Sequence, residues 1–343
     1  MIAGMAALVD AVQTNCDIAD ARHARDVSLC SYLLAMREFY RWQHRLPCGV
    51  APPRDDVGRW IAERERRWEE MMEADFVAVP VAGRDFDPFA AEQVNAALAG
   101  SGLMYGAGVG RFHKPHFFLG KLARDERRGD ARLLVCGYEY ARDVSAIPAA
   151  SQGSTLIVRR EALRQWLWEL AEGWSVRQQR GALEAALLGY GFDVDPQGAI
   201  ERMTDGEVET LVLHEEGERA AGRLLGDDWS GLLAGFRGKR AELLSRAVRD
   251  NLADCLVTLP ALLQRGAQDS LHFWFSTFDG MRRELFPRLI VAYAASASAG
   301  GGELLPEAAA AGSLHFAALG RRLLQLDEGG IEALSHQVTT IAL

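Results

Sequence analysis

Apolar residues recur at helical spacing along most of the chain. Between residues 5 and 44 there is neither Pro nor Gly, and the pattern predicts one long first helix. At about 100° per residue, Val9, Val12, Cys16, Asp20, His23, Val27, Cys30, Leu34, Glu38 and Arg41 fall within roughly 40° of one line. A solvated face would not carry Val, Cys and Leu at every other turn. A plain core face would not carry Asp, His and Glu. The stripe therefore reads as a buried or cleft-lining polar seam, whose members must be paired or bound. A cap at Asn15 or Asp17 would start a new helix there and take Cys16 out of the line, while Asp20, His23 and Glu38 would stay in phase.

Beyond a Pro-rich connection at 45–56, the pattern predicts an acidic amphipathic helix at 57–72, a short strand at 76–81 and a helix at 87–99. Residues 102–118 are rich in Gly and aromatics. Alternation at 132–140 and an apolar run at 155–159 predict strands, and a Trp-rich helix follows at 161–173. This middle region reads as a small, mostly antiparallel sheet packed on helices. A second unit opens near Ser175 with a helix to Leu188. Residues 207–213 and 219–224 read as a hairpin around the turn HEEGE. Helices follow, the longest at 239–264. A flexible small-residue tract spans 296–302, and an amphipathic helix spans 314–326. The expected architecture is α+β and mainly helical, in two domains: 1–174 with the sheet, and 175–343 with the hairpin.

Composition narrows the function classes. The net charge is −9, from 38 Lys+Arg against 47 Asp+Glu, with no basic tract. Nucleic acid is therefore not an expected partner, because such binding relies on phosphate neutralisation. No apolar stretch reaches ~18 residues, so no membrane span is expected. The N-terminus lacks the basic start of a signal peptide. Cys16, Cys30, Cys48, Cys136 and Cys255 are odd in number and include no CxxC pair, which is cytoplasmic usage.

Three accounts fit the seam. Asp20 and His23, at i,i+3, resemble half of a helical metal site. Asp250 and Asp254, at i,i+4 beside Cys255, would be the facing half and complete a divalent-metal site. Alternatively, Asp20, His23 and Glu38 line a metal-free acid/base or small-molecule cleft. In the third account Asp20, His23, Glu38 and Arg37 or Arg41 simply satisfy one another, in a non-catalytic interaction or structural protein.

Other clusters read more plainly. In RFHKPHFF, His113 and His116 face opposite sides of a strand, so a loop with one histidine inward is expected. YGAGVGRF lacks the dinucleotide fingerprint, and its glycines suit tight turns or close packing. Glu139, Arg142 and Asp143 follow an expected strand and read as a surface ion-pair cluster, with a functional strand end as the alternative. His214, Glu215 and Glu216 sit in the expected turn, solvated. HFWFSTFDGMRRELFP suits a ligand pocket or an interface, including that of a homodimer.

The segments NCDIADARHARDVSLCSYLLAMREFYRW, DNLADCLVTLPALL and HFWFSTFDGMRRELFP resemble those of an uncharacterised bacterial protein family with an N-terminal and a C-terminal domain. The resemblance spans nearly the whole chain. It implies a two-part protein and transfers no catalytic residues. From the cysteine usage, thiol titration of the denatured, unreduced protein is expected to find all five thiols. A count of three or one would reveal a disulfide.

Overall fold

The helical pattern of residues 5–44 divides into two helices, not one. In the computed structural model, which describes residues 4–296 and 303–343, α1 is Met5–His23 and α2 is Leu29–Gln43. The break has a local cause. The Ser28 hydroxyl accepts the Ser31 amide and caps α2, and Ser is strongly favoured at that position. His23 Nδ1 lies 3.1 Å from Asp26 Oδ2 and closes the intervening turn. The stripe is thereby split. Val12, Cys16 and Asp20 are buried on α1, whereas Val27, Cys30 and Leu34 are exposed.

The chain forms two compact units, Met1–Glu169 and Leu170–Leu343. In the first, α3 (Arg54–Met71) precedes a two-stranded sheet of β1 (Val79–Val81) and β2 (Arg84–Phe86), then α4 (Ala91–Ala97). A five-stranded sheet follows: β3 (Leu103–Val109), β4 (Pro115–Arg128), β5 (Ala131–Arg142), β6 (Ala149–Gln152) and β7 (Thr155–Arg159). Its order is β3-β4-β5-β7-β6. The expected antiparallel character holds for β3, β4, β5 and the β6–β7 pair, but β5 and β7 run parallel, so the larger sheet is mixed. Helix α5 (Arg160–Arg177) leaves β7 directly and contains the boundary between the units.

Helix α1 packs on this sheet. Leu8, Val12, Cys16 and Ala19 share a core with Val79, Phe117, Leu119 and Ala141. The buried Asn15 side chain binds both backbone groups of Val77, accepting its amide at 2.7 Å and donating to its carbonyl at 2.9 Å. Asn15 is therefore a tether inside α1, not a cap. A second apolar cluster joins Tyr32, Met36 and Phe39 of α2 to Trp68 of α3 and to Val144.

The second unit is helical: α6 (Ala182–Gly189), α7 (Pro196–Leu225), α8 (Asp228–Gly235), α9 (Lys239–Ala253), α10 (Leu259–Gln264), α11 (Gln268–Ser276), α12 (Gly280–Leu285), α13 (Pro287–Ser296), α14 (Leu304–Leu323), α15 (Glu328–Ser335) and α16 (Val338–Ile341). A π-helical turn, Asp254–Thr258, joins α9 to α10. The hairpin expected around HEEGE does not form. Residues 207–224 lie inside the 30-residue helix α7. The β-branched run misleads because Ile200, Thr204, Val208 and Val212 are buried at four-residue spacing, which is a helical face. Gly217 does not mark a turn either. A Cβ there would collide with the backbone of Ala253, so the glycine lets α7 and α9 touch. The aromatic segment at 272–287 also stays internal, with Phe273, Trp274, Phe275 and Phe278 buried.

The mainly helical α+β architecture is as expected. Beyond Ser296, the small-residue tract lies outside the described residues. No helix among them is long and apolar enough to cross a membrane. None of the five cysteines forms a disulfide.

Gly217 gives a test with a sign. In an exposed helix interior, Gly→Ala stabilises by about 1 kcal/mol. Here Gly217→Ala should destabilise by about 1–3 kcal/mol, because the added methyl meets Ala253. Urea unfolding measures the difference, and a stabilised variant would show that α7 and α9 do not pack backbone to backbone.

Candidate functional site

The ends of β5 and β7 bring charged residues into the interior of the first unit. Glu139 is fully buried between two guanidiniums. Arg159 Nε is 2.5 Å from its Oε1, and Arg142 Nη1 is 3.3 Å from its Oε2. Arg142 also donates to Gln165 Oε1 at 2.6 Å, from α5. From Arg159 the network continues to Asp143, at 4.0 Å. Asp143 accepts from the Ala146 amide at 2.9 Å and lies 2.5 Å from His116 Nδ1. Burial opposes its charge, but His116, then Lys114 and Arg159, hold the carboxyl far below the usual range.

Asp20 of α1 joins the same network. Its Oδ1 is 3.0 Å from Lys114 Nζ, and its Oδ2 accepts the Val144 amide at 2.9 Å. Lys114 also donates to Ser145 Oγ at 2.7 Å. Burial raises Asp20 from 3.8 to about 6, against the pull of Lys114 and with help from Asp143. The ion pair in turn keeps Lys114 charged: burial lowers its pKa, but Asp20 and Asp143 raise it more. Phe112, His113 and Ala146, in the turns on either side, hold left-handed backbone with φ of 56°, 59° and 40°. Such non-glycine positions cost about 1–3 kcal/mol each and persist where surrounding structure enforces them.

At its other end the network borders a cavity of about 300 Å³. Arg41, Arg45, Arg142 and Arg164 line it with Glu38, Glu161, Trp42, Cys48 and Gln165. Arg41 binds Glu38 at 3.1 Å and the carbonyls of Pro47 and Val50. Arg45 sits where α2 ends. The Leu46 amide bonds back to the Arg41 carbonyl, and Arg45 has φ 53°. That position normally belongs to glycine. Its guanidinium covers the rings of Trp42 and Tyr138 and donates to the Glu139 carbonyl at 2.7 Å. Arg142 and Trp42, both in the cavity lining, each keep a buried donor, Nε and Nε1, with no acceptor among the described residues. Burial lowers the Arg142 pKa, partly offset by Glu139.

The three seam residues thus go to three places. Asp20 enters the Lys114–Asp143 network. Glu38 is buried at the cavity, bound to Arg37 and Arg41. His23 stays at the end of α1 with Asp26. Asp250 and Asp254 lie in the second unit, in a cluster with His214 and Glu218 of α7. His214, expected in a solvated turn, is instead bonded to Asp254 at 2.8 Å. The strand-end group Glu139, Arg142 and Asp143 was visible in the sequence but expected on the surface, whereas all three are buried, because Arg159, His116 and Gln165 satisfy them inside the fold. Arg159 and Gln165 were not visible there, because an arginine closing the apolar run TLIVR and a glutamine in a Trp-rich helix carry no local signal. Lys114 lay hidden between two histidines that drew the chemistry.

Residues 7–159 match the model for the N-terminal domain of a family of unknown function, DUF6866, and residues 164–341 match that of its C-terminal domain. The chain belongs to this family. No curated protein and no solved structure matches it. Within this DUF6866 chain, the charge network and the cavity fall in or beside the N-terminal domain, and the His214 cluster falls in the C-terminal domain.

The raised Asp20 pKa has a defined consequence. The folded state holds this proton more tightly than the unfolded chain. The stabilisation it contributes is complete below about pH 4 and is lost as pH rises through about 6. Relative to Asp20→Asn, the wild type should therefore lose on the order of 3 kcal/mol between pH 4 and pH 7. Denaturant unfolding of both proteins across that range measures it. A difference that stays flat would mean Asp20 titrates as an ordinary carboxylate.

Proposed function

We propose that the first unit binds a small anion, a molecule bearing a carboxylate or phosphate group, in the cavity lined by α2, β5 and α5. The observation that carries this reading is the pair of buried donors, Arg142 Nε and Trp42 Nε1, at one cavity and without acceptors. Buried donors are nearly always satisfied, and an unmet one costs ~1–3 kcal/mol. An apolar ligand would leave both unmet, and a cation would face four arginines. An anion supplies acceptors to both once the two side chains turn their buried donors into the cavity.

The left-handed Arg45 supports the reading. A glycine would satisfy the backbone there, whereas an arginine adds a charge at the cavity wall. The cavity volume lies at the small end of ligand pockets, which run ~300–1,000 Å³. The chain's own net charge of −9 argues against nucleic acid as the anion. Five cysteines without a disulfide support a cytoplasmic setting. Asp20, Lys114 and Asp143 are mutually satisfied, which supports a structural role for them rather than a catalytic one.

Calorimetry and thermal melts with inorganic phosphate and with succinate test the proposal. At least one should bind and raise Tm. Trp42→Phe keeps the ring and removes the N–H donor. It should weaken binding about tenfold, the equivalent of ~1.4 kcal/mol. Arg45→Gly should weaken binding further while changing stability by no more than about 1 kcal/mol, because relief of the left-handed backbone offsets the lost contacts. Absence of binding by both anions at millimolar concentration, or binding unchanged in both variants, would overturn it.

A further inference from the structure

Helices α7 and α9 touch backbone to backbone at Gly217 and Ala253. This contact places two i,i+4 pairs opposite each other: His214 and Glu218 on α7, and Asp250 and Asp254 across from them. His214 Nδ1 is 2.8 Å from Asp254 Oδ1. With Nδ1 donating to that buried carboxylate, Nε2 is the free ring nitrogen, and it lies 3.5 Å from Glu218 Oε1. One ligand atom each from His214, Glu218 and Asp250 all lie within 4.8 Å of one another. Three ligands ~2.1 Å from one ion lie roughly 3–3.6 Å apart, so the widest pair must close by on the order of 1 Å.

We propose that His214, Glu218 and Asp250 bind one first-row divalent metal ion, with Asp254 as the carboxylate that orients the imidazole. A histidine whose second nitrogen is held by a carboxylate is the usual arrangement of a metal-bound imidazole. Asp254 is itself anchored by Arg282, whose guanidinium lies over Trp274 and Phe278. One imidazole with carboxylates suits Mn²⁺, Fe²⁺ or Zn²⁺ rather than a soft, thiolate-seeking ion. Three protein ligands leave coordination positions for water or substrate.

Charge supports the same conclusion. Glu215, Glu218, Asp250 and Asp254 are four carboxylates around two guanidiniums, Arg249 and Arg282. Once the ion has displaced the His214 proton, these groups carry two excess negative charges, the complement of a divalent ion. Arg249 now bridges Glu218 and Asp250, at 2.5 and 3.0 Å. Its side chain is 17% exposed, so it can move outward when the ion takes over its carboxylates. The ion must also displace the proton that Asp254 and Glu218 favour on His214 against the effect of burial.

The test uses the full chain stripped of metal and titrated with Mn²⁺. Calorimetry should find one ion per chain, and pulsed electron paramagnetic resonance should show coupling to one imidazole nitrogen. His214→Gln should lose the nitrogen coupling and weaken binding at least tenfold. Arg249→Met removes the competing cation. It should melt earlier than wild type without metal and recover on adding Mn²⁺, since a ligand of the native state stabilises by mass action. Should His214→Gln fail to fold, the nitrogen coupling in the wild type decides alone. No uptake at millimolar Mn²⁺, or uptake without nitrogen coupling, overturns the proposal and leaves a structural ion-pair cluster. Neither result bears on the anion cavity of the first unit, which shares no residue with this site.

Discussion

The first unit depends on the burial of Glu139 between Arg142 and Arg159. A carboxylate removed from water is costly unless its charge is met and both oxygens are bonded. Here one guanidinium arrives from the end of β5 and one from the end of β7. The two strands run parallel and adjacent, with Cys136 paired to Arg159. A register slip in that pair would leave a buried charge without its partner, so the network specifies the alignment as well as benefiting from it. Helix α5 is held to the same point, because the Glu161 carboxylate accepts the Glu139 amide and Gln165 accepts from Arg142.

Around this centre the network differs in its two directions, and Arg159 itself keeps one buried donor, Nη2, without an acceptor among the described residues. Towards α1, Asp143, His116, Lys114 and Asp20 complete one another, and the left-handed residues Phe112, His113 and Ala146 hold the turns that bring them together. Towards α2, the donors of Arg142 and Trp42 remain unmet, and another left-handed residue, Arg45, aims a further guanidinium at the same space.

The second unit solves a different problem. Two long helices meet at a glycine, and the polar residues one turn on either side must be accommodated in the crevice. Thirteen buried positions on α7 make it the spine of that unit. The π-helical turn at Asp254–Thr258 widens the partner helix where Asp254 meets His214. Such turns are frequent at functional positions.

Periodicity alone determined much of this protein: the mainly helical α+β character, the strands at 132–140 and 155–159, and the helical run at 239–264. These features rest on side-chain spacing within a single element, which the sequence displays directly. It also marked Asp20 and Glu38 as polar residues out of place on an apolar face, and both are buried. What the pattern could not decide was partnership. Asp20 is answered by Lys114, 94 residues away, and Asp254 by His214, 40 residues away. Glycine at 217 looked like a turn because nothing local reveals that Ala253 will lie against it. Ser28 ended a helix that its apolar spacing would have continued. In each case the deciding energy is a contact between residues distant in the chain, or a single cap competing with a periodic pattern, and only the folded structure brings those terms together.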